Sequence, residues 1–221
     1  MEIHPISNGW STAYLVVDGS EAMLVDASTP EISPHVLAKL AEVHAQLRLI
    51  VLTHFHFDHV GAADAVRAAT GARVAIHRAD AANLRAGGPL HLHATSAPAK
   101  LLVHKFSGGD NPPVVPDIGL TDDEDLTLHG GIGRSFATPG HTLGSISVLL
   151  PDGTVLTGDA LTASPIGHHA AGPIFADDEP ASRRSVTTIA SSTRGDVRIA
   201  HGGLLDRASI DRLASHDAAH H

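Results

Sequence analysis

The stretch Thr53-His54-Phe55-His56-Phe57-Asp58-His59 follows directly on the apolar run Leu49-Ile50-Val51-Leu52. It places three imidazoles and one carboxylate within six consecutive positions. Imidazole nitrogen and carboxylate oxygen suit zinc and other borderline first-row metals. A strand-like run feeding a donor-rich loop aims such groups rigidly. Neighbouring side chains leave the backbone in different directions, so four donors this close are more than one tetrahedral ion uses. The loop therefore points to two metals side by side, presented at the end of a strand.

Three later segments extend the pattern. Pro139-Gly140-His141-Thr142 sets a histidine between Gly-marked turns. Thr157-Gly158-Asp159-Ala160 adds a carboxylate just after Val155-Leu156, and Ala200-His201-Gly202-Gly203 adds a histidine after Val197-Arg198-Ile199. Each candidate donor ends a short β-like run and is followed by small residues. Such places present side chains to a cleft without burying unpaired backbone.

Taken in order, the His-x-His-x-Asp-His loop at 54–59, His141, Asp159 and His201 resemble the metallo-β-lactamase-fold superfamily. The resemblance covers most of the chain. It implies a four-layer αββα sandwich with the metals at one edge. It also implies that His54, His56 and His141 hold one metal, that Asp58, His59 and His201 hold the other, and that Asp159 bridges them. Zinc is the expected metal, and iron or manganese suits the same donors.

Within the superfamily the chain is most similar to the glyoxalase II-like hydrolases. Asp159 supplies their acidic bridge, and the absence of cysteine excludes the thiolate site of some true β-lactamases. Glyoxalase II carries a helical glutathione-binding domain after the last ligand. Here only Leu204 to His221 follows the Ala200-His201-Gly202-Gly203 motif, and Tyr14 is the sole tyrosine. The resemblance therefore carries no glutathione site across. It implies a metal-dependent hydrolase in which a hydroxide between two metals attacks a small-molecule carbonyl, a thioester or ester. The His54 metal would polarise the carbonyl oxygen, and Asp58 would be the general base. A lactonase or weak β-lactamase is the first alternative, and a persulfide dioxygenase-like oxidoreductase with a single iron is the second.

Second groups should orient the ligands. Asp26, ending the run Leu24-Val25, is the first candidate for bracing the 54–59 loop, with Thr142 and Ser145 beside His141 next. The chain holds 18 histidines, of which the motifs use five. Among the rest, His91 and His93 in the insertion and His168 and His169 after Asp159 are read by default as solvated loop residues, with hydrogen bonding to substrate from the cleft as the alternative.

The 221 residues suffice for one sizeable α/β domain, 1–221. The net charge is −9 with histidine neutral, and basic residues are scattered, which argues against a nucleic-acid partner. No run is long enough for a membrane span, and Met1-Glu2-Ile3-His4-Pro5 is not a signal peptide, so a cytoplasmic protein is expected.

Strands are predicted over 11–18 and 21–26, joined at Asp18-Gly19. Ser33 is expected to cap a helix with Pro34 at its first position and a buried stripe of Leu37, Leu40, Val43 and Leu47. A strand at 49–53, a helix from Val60 to Thr70 and a strand at 74–76 follow. This strand–helix alternation argues for a layered α/β fold by itself. The pattern breaks over 85–120, read as an insertion that forms a lid or pocket wall, with one short helix over 97–106. Strands resume at 125–128, 134–138, 145–150 and 153–157. A helix over 180–192, a final strand at 197–200 and a helix over 206–213 complete the prediction.

Overall fold

The structure, a computed structural model, describes residues 1–97, 99–100, 103, 110–164 and 169–219. Strands β1 (Glu2–Ser7), β2 (Thr12–Asp18), β3 (Glu21–Val25), β4 (Gln46–Leu52), β5 (Arg73–His77) and β8 (Ile118–Leu120) form the first sheet in that order. The second runs β16 (Gly203–Leu205), β15 (Val197–Ile199), β12 (Val155–Leu156), β11 (Ile146–Leu149), β10 (Arg134–Ala137) and β9 (Asp123–Asp125).

Side-chain alternation explains the layering. Along β2, Leu15 faces one way and Tyr14 and Val16 the other; along β4, Ile50 and Leu52 oppose Leu49 and Val51. The first set packs with Val36 and Leu40 of helix α1 (Ser33–Glu42) and Val66 of helix α3 (Ala63–Thr70). The second set meets Ile146, Val148 and Leu156 of the opposing sheet. That sheet's other face packs Val155, Val197 and Ile199 against Val186 and Ile189 of helix α5 (Glu179–Ser192) and Ile210 of helix α6 (Arg207–Ala219). The result is the αββα sandwich. No helix among the described residues is long and apolar enough to cross a membrane.

Three hydrogen bonds join the sheets near the edge where β4 ends. Ile146 donates its backbone N–H to the Thr53 carbonyl, and Thr12 donates to the Ala200 carbonyl, each at 3.0 Å. The buried Tyr14 hydroxyl donates to the Ile199 carbonyl at 2.8 Å. The first strands therefore hold the start of the His201 turn.

Several predicted boundaries shift for identifiable reasons. Pro30 opens a 3-10 turn over Pro30–Ile32, so Ser33 is already helical and makes no side-chain cap. Leu47 belongs to β4 rather than to the α1 stripe. The helix predicted from Val60 is two pieces, α2 (Phe57–Val60) and α3. They meet at Gly61, where a Cβ would lie 2.8 Å from the Ser28 carbonyl oxygen. Residues 126–129 form a 3-10 turn instead of a strand, because the Asp125 side chain accepts the Thr127 N–H and curls the chain. The polar, Pro-containing β1 and the Gly-started β16 carried too little alternation to be predicted.

The 85–120 insertion is partly regular. Helix α4 (Ala81–Ala86) runs into it, β6 (Gly88–Pro89) pairs with β7 (Asp110–Asn111) at its base, and β8 returns to the main sheet. Most of the helix predicted over 97–106 lies outside the described residues. The remaining ladder, β13 (Thr162–Ala163) with β14 (Ala170–Ala171), follows the Asp159 turn.

Candidate metal centre

Strand β4 ends at Leu52, and the chain turns at once into the histidine loop. Its conformation is fixed from the neighbouring strand end. Asp26 follows β3 with a left-handed backbone, φ +60°. Its carboxylate accepts the Thr53 N–H at 2.8 Å, the Thr53 hydroxyl at 2.9 Å and His59 Nδ1–H at 2.9 Å. Ala27 donates to the His59 carbonyl at 2.6 Å. The expected role of Asp26 as a brace therefore has a concrete geometry.

The structure brings His54, His56, Asp58, His59, His141, Asp159 and His201 together. Donor atoms of His54, His56 and His141 lie within 4.8 Å of one another, as do those of Asp58, His59 and His201. His141 Nε2 is 3.2 Å from His54 Nε2 and 3.0 Å from His56 Nδ1. Asp159 faces both sets: one oxygen is 3.7 Å from His141 Nε2 and 3.5 Å from His201 Nε2, and the other is 3.3 Å from His59 Nε2.

Four of the five rings are oriented through their outer nitrogen. His59 donates Nδ1–H to Asp26. His141 donates Nδ1–H to the Phe175 carbonyl at 2.7 Å, and His201 donates Nδ1–H to the Trp10 carbonyl at 2.8 Å. The Thr53 hydroxyl spends its proton on Asp26, so it accepts from His54 Nδ1 at 3.1 Å. In each case Nε2 is left facing the cluster, the tautomer a metal ligand requires.

The electrostatics match a cation site. Burial and the adjoining His59 and His141 hold His54 well below the ordinary histidine range; burial and His141 do the same to His56. Burial opposes charge on His59, yet Asp26, Asp159 and Asp58 outweigh it and hold that ring well above the range. His201 is raised to about 10 against burial, chiefly by Asp159. Burial would raise Asp58, but His59 and His201 bring it down to about 2, and the same two rings hold Asp159 well below the carboxylate range. His59 Nε2 and Asp159 Oδ1 are buried without a hydrogen-bond partner among the described residues, although they face each other. Orphaned donors and convergent neutral imidazoles are costly unless a cation collects them. The donor set fits divalent metal.

Thr142 and Ser145 lie behind His141: the Thr142 hydroxyl donates to Asp80 at 2.7 Å, and Ser145 Oγ accepts the Thr142 N–H. Together with the Gly144 N–H on Asp80 they shape the turn behind His141. His91 and His93 are exposed and absent from the cleft lining, with His93 turned to Asp177; their neighbours Leu90 and Leu92 take the inward positions. His169 is likewise exposed and outside the lining, and His168 lies outside the described residues.

Sequence reasoning missed Trp10, Asp80 and Phe175. Trp10 donates Nε1–H to Asp58 Oδ2 at 3.0 Å. These residues stand in loops, and two of them orient a ligand through a backbone carbonyl, which any residue type would supply. Only the Leu90/Leu92 alternation left a readable trace.

Comparison with known proteins agrees with this geometry. The family model described as the metallo-beta-lactamase superfamily matches residues 9–201. A hydroxyacylglutathione hydrolase of Cereibacter sphaeroides is 34% identical over 156 residues, covering 70% of this chain and 49% of that protein. The chain thus spans about half the length of that curated relative. The solved structure of TTHA1623 in a di-iron-bound form superposes with TM-score 0.70 at 24% identity, covering 96% of this chain and 98% of that one. The BLEG-1 B3 metallo-beta-lactamase gives TM-score 0.69 at 22% identity, with 94% of both chains covered. At these identities the two structures speak for the fold, while the family match takes in every donor from His54 to His201: the chain belongs to the metallo-beta-lactamase superfamily.

Proposed function

We propose that the protein is a metal-dependent hydrolase of a small carbonyl compound, an ester or thioester, working with two divalent cations. His54, His56 and His141 would hold one cation, Asp58, His59 and His201 the other, and Asp159 would stand between them. Cations bound there supply Lewis acidity toward a carbonyl oxygen and lower the pKa of water toward neutrality. The observation that carries the reading is Asp159, whose two oxygens address both donor sets.

The chain's own residues have assignable work. Asp58 remains a carboxylate at neutral pH and is held by Trp10 Nε1–H, so its orientation is fixed for binding a cation and taking a proton from water. Asp26, Phe175 and Trp10 fix which nitrogen of His59, His141 and His201 points inward. The kinship with hydroxyacylglutathione hydrolase supports thioester or ester chemistry over oxidation. A di-iron state of a structural relative supports two cations, with zinc, iron or manganese as candidates. A cytoplasmic location belongs to the same proposal.

Elemental analysis of purified protein, joined to turnover of a thioester, ester, lactone and cephalosporin panel, tests it. Two metals per chain with ester or thioester turnover are expected. One iron per chain with oxygen uptake would sink the hydrolase reading.

A further inference from the structure

The cleft beside the donor cluster encloses about 620 Å³, counting its open mouth. Its lining mixes donor residues and Thr162 with a larger apolar share: Leu90, Leu92, Pro173, Ile174 and Phe175, with Phe57 and Trp10 beside the donors. Among the described residues, no lysine or arginine lines it. Trp10 and Ile174 are 44% and 43% exposed, large apolar surface left open beside the most polar site in the molecule.

This wall is constructed rather than incidental. The chain at 93–95 pairs with 174–176: Thr95 donates to the Ile174 carbonyl at 3.0 Å, and Ala176 donates to the His93 carbonyl at 2.9 Å. The Thr95 hydroxyl adds a bond to the Pro173 carbonyl at 3.1 Å. Leu90 and Leu92 line the cleft, while His91 and His93 are exposed. Polar groups were available in this stretch and stand on the outer side.

An apolar wall rewards burial of hydrocarbon and penalises a charge that finds no partner. We infer that the cleft takes a carbonyl compound whose non-reacting part is neutral and apolar, a hydrocarbon chain or small ring, and rejects one with a charged tail such as a glutathione conjugate. The inference deepens the proposed hydrolase reading and rests on it only for turnover; the binding preference stands on the wall alone.

Trp10 is the only tryptophan in the chain and lies in the cleft, so its fluorescence reports entry directly. Metal-loaded protein should be titrated with acetamide, butanamide and hexanamide, then with succinamate, which adds a terminal carboxylate, and with glutathione. Affinity should rise about fourfold per methylene along the amides, and butanamide should bind at least about tenfold tighter than succinamate or glutathione. The variant Ile174→Asp, at an exposed wall position, should flatten the chain-length series. In parallel, kcat/KM for 4-nitrophenyl acetate, butanoate and hexanoate should climb in the same order.

A flat amide series, or tighter binding of succinamate or glutathione, would overturn the inference. Turnover without chain-length dependence would overturn it and leave the hydrolase reading intact. A rising amide series with no turnover of any ester or thioester would do the reverse. Failure of both would remove both.

Discussion

The donors from the first half of the chain and those from the second are held by different physics. His54, His56, Asp58 and His59 come from one loop, and a single buried carboxylate, Asp26, grips that loop at Thr53 and His59. His141, Asp159 and His201 come from three separate turns. Their two histidines are aimed by main-chain carbonyls, those of Phe175 and Trp10. A side-chain brace can be deleted by one substitution. A carbonyl brace survives substitution and fails only when its loop moves. The contrast separates residues whose identity matters from residues whose position matters.

Removing the side-chain brace should have the largest effect. Asp26→Ala strips buried partners from Thr53 and His59 and should cost about 3–5 kcal/mol in denaturant unfolding. It should also weaken metal binding about 10- to 100-fold in a competitive chelator titration. If affinity is unchanged in a variant that folds, the brace is not what orients His59.

The pH response of metal-free protein tests the charge balance across both halves. His201 has a folded pKa of about 10 against 6.5 for the free side chain, so its ion pairs contribute fully below pH 6.5 and fade as pH rises through about 10. Asp58 runs the other way: its contribution is present above its ordinary value of 3.8 and is lost as pH falls through about 2. Below pH 6.5 the buried His54 and His56 resist the protons that the unfolded chain takes up, so thermal unfolding should peak near pH 6.5 and decline on both sides. Loading metal at neutral pH should release protons from His59 and His201, measurable by calorimetry in buffers of different ionisation enthalpy. A Tm that climbs from pH 7 to 10 without metal would contradict the assigned ion pairs.

Smaller effects probe the link between halves. Tyr14→Phe removes the hydroxyl that joins β2 to Ile199 and should cost about 1 kcal/mol in chemical denaturation. Burial raises the Tyr14 pKa to about 12 from 10, so its contribution is present below pH 10 and is lost as pH rises toward 12. The variant should lack that alkaline component. The smallest stability change belongs to Trp10→Phe, which keeps the carbonyl that aims His201 and an aromatic ring beside it, and loses the indole bond to Asp58. We expect no more than about 1 kcal/mol in unfolding. A collapse of the fold would mean that the ring, not the backbone, sets the His201 turn.

The same contrast explains what the sequence revealed. The 54–59 donors were legible because chemistry and spacing coincide in one short segment after an apolar run. The later motifs were legible because small residues flank each donor. Asp26 was legible as a strand-end carboxylate, but its left-handed backbone and three-way grip depend on β3 and β4 lying side by side. Phe175 and Trp10 left no trace as braces, since a carbonyl carries no residue signature. His91 and His93 drew notice for their chemistry, whereas the period-two pattern placed Leu90 and Leu92 at the cleft. Polar type alone was the wrong guide there.

The bond from Thr12 to Ala200, with Tyr14 reaching Ile199, has a consequence for how the protein matures. His201 acquires its alignment from Trp10, which leaves the ribosome 191 positions ahead of it. A chain emerging in order can shape the 54–59 loop early, yet it cannot finish the centre until the two distant segments meet. That closure is a long-range contact of the slow kind. A nascent chain halted before residue 200 would carry a half-built set of donors, free to capture the wrong ion.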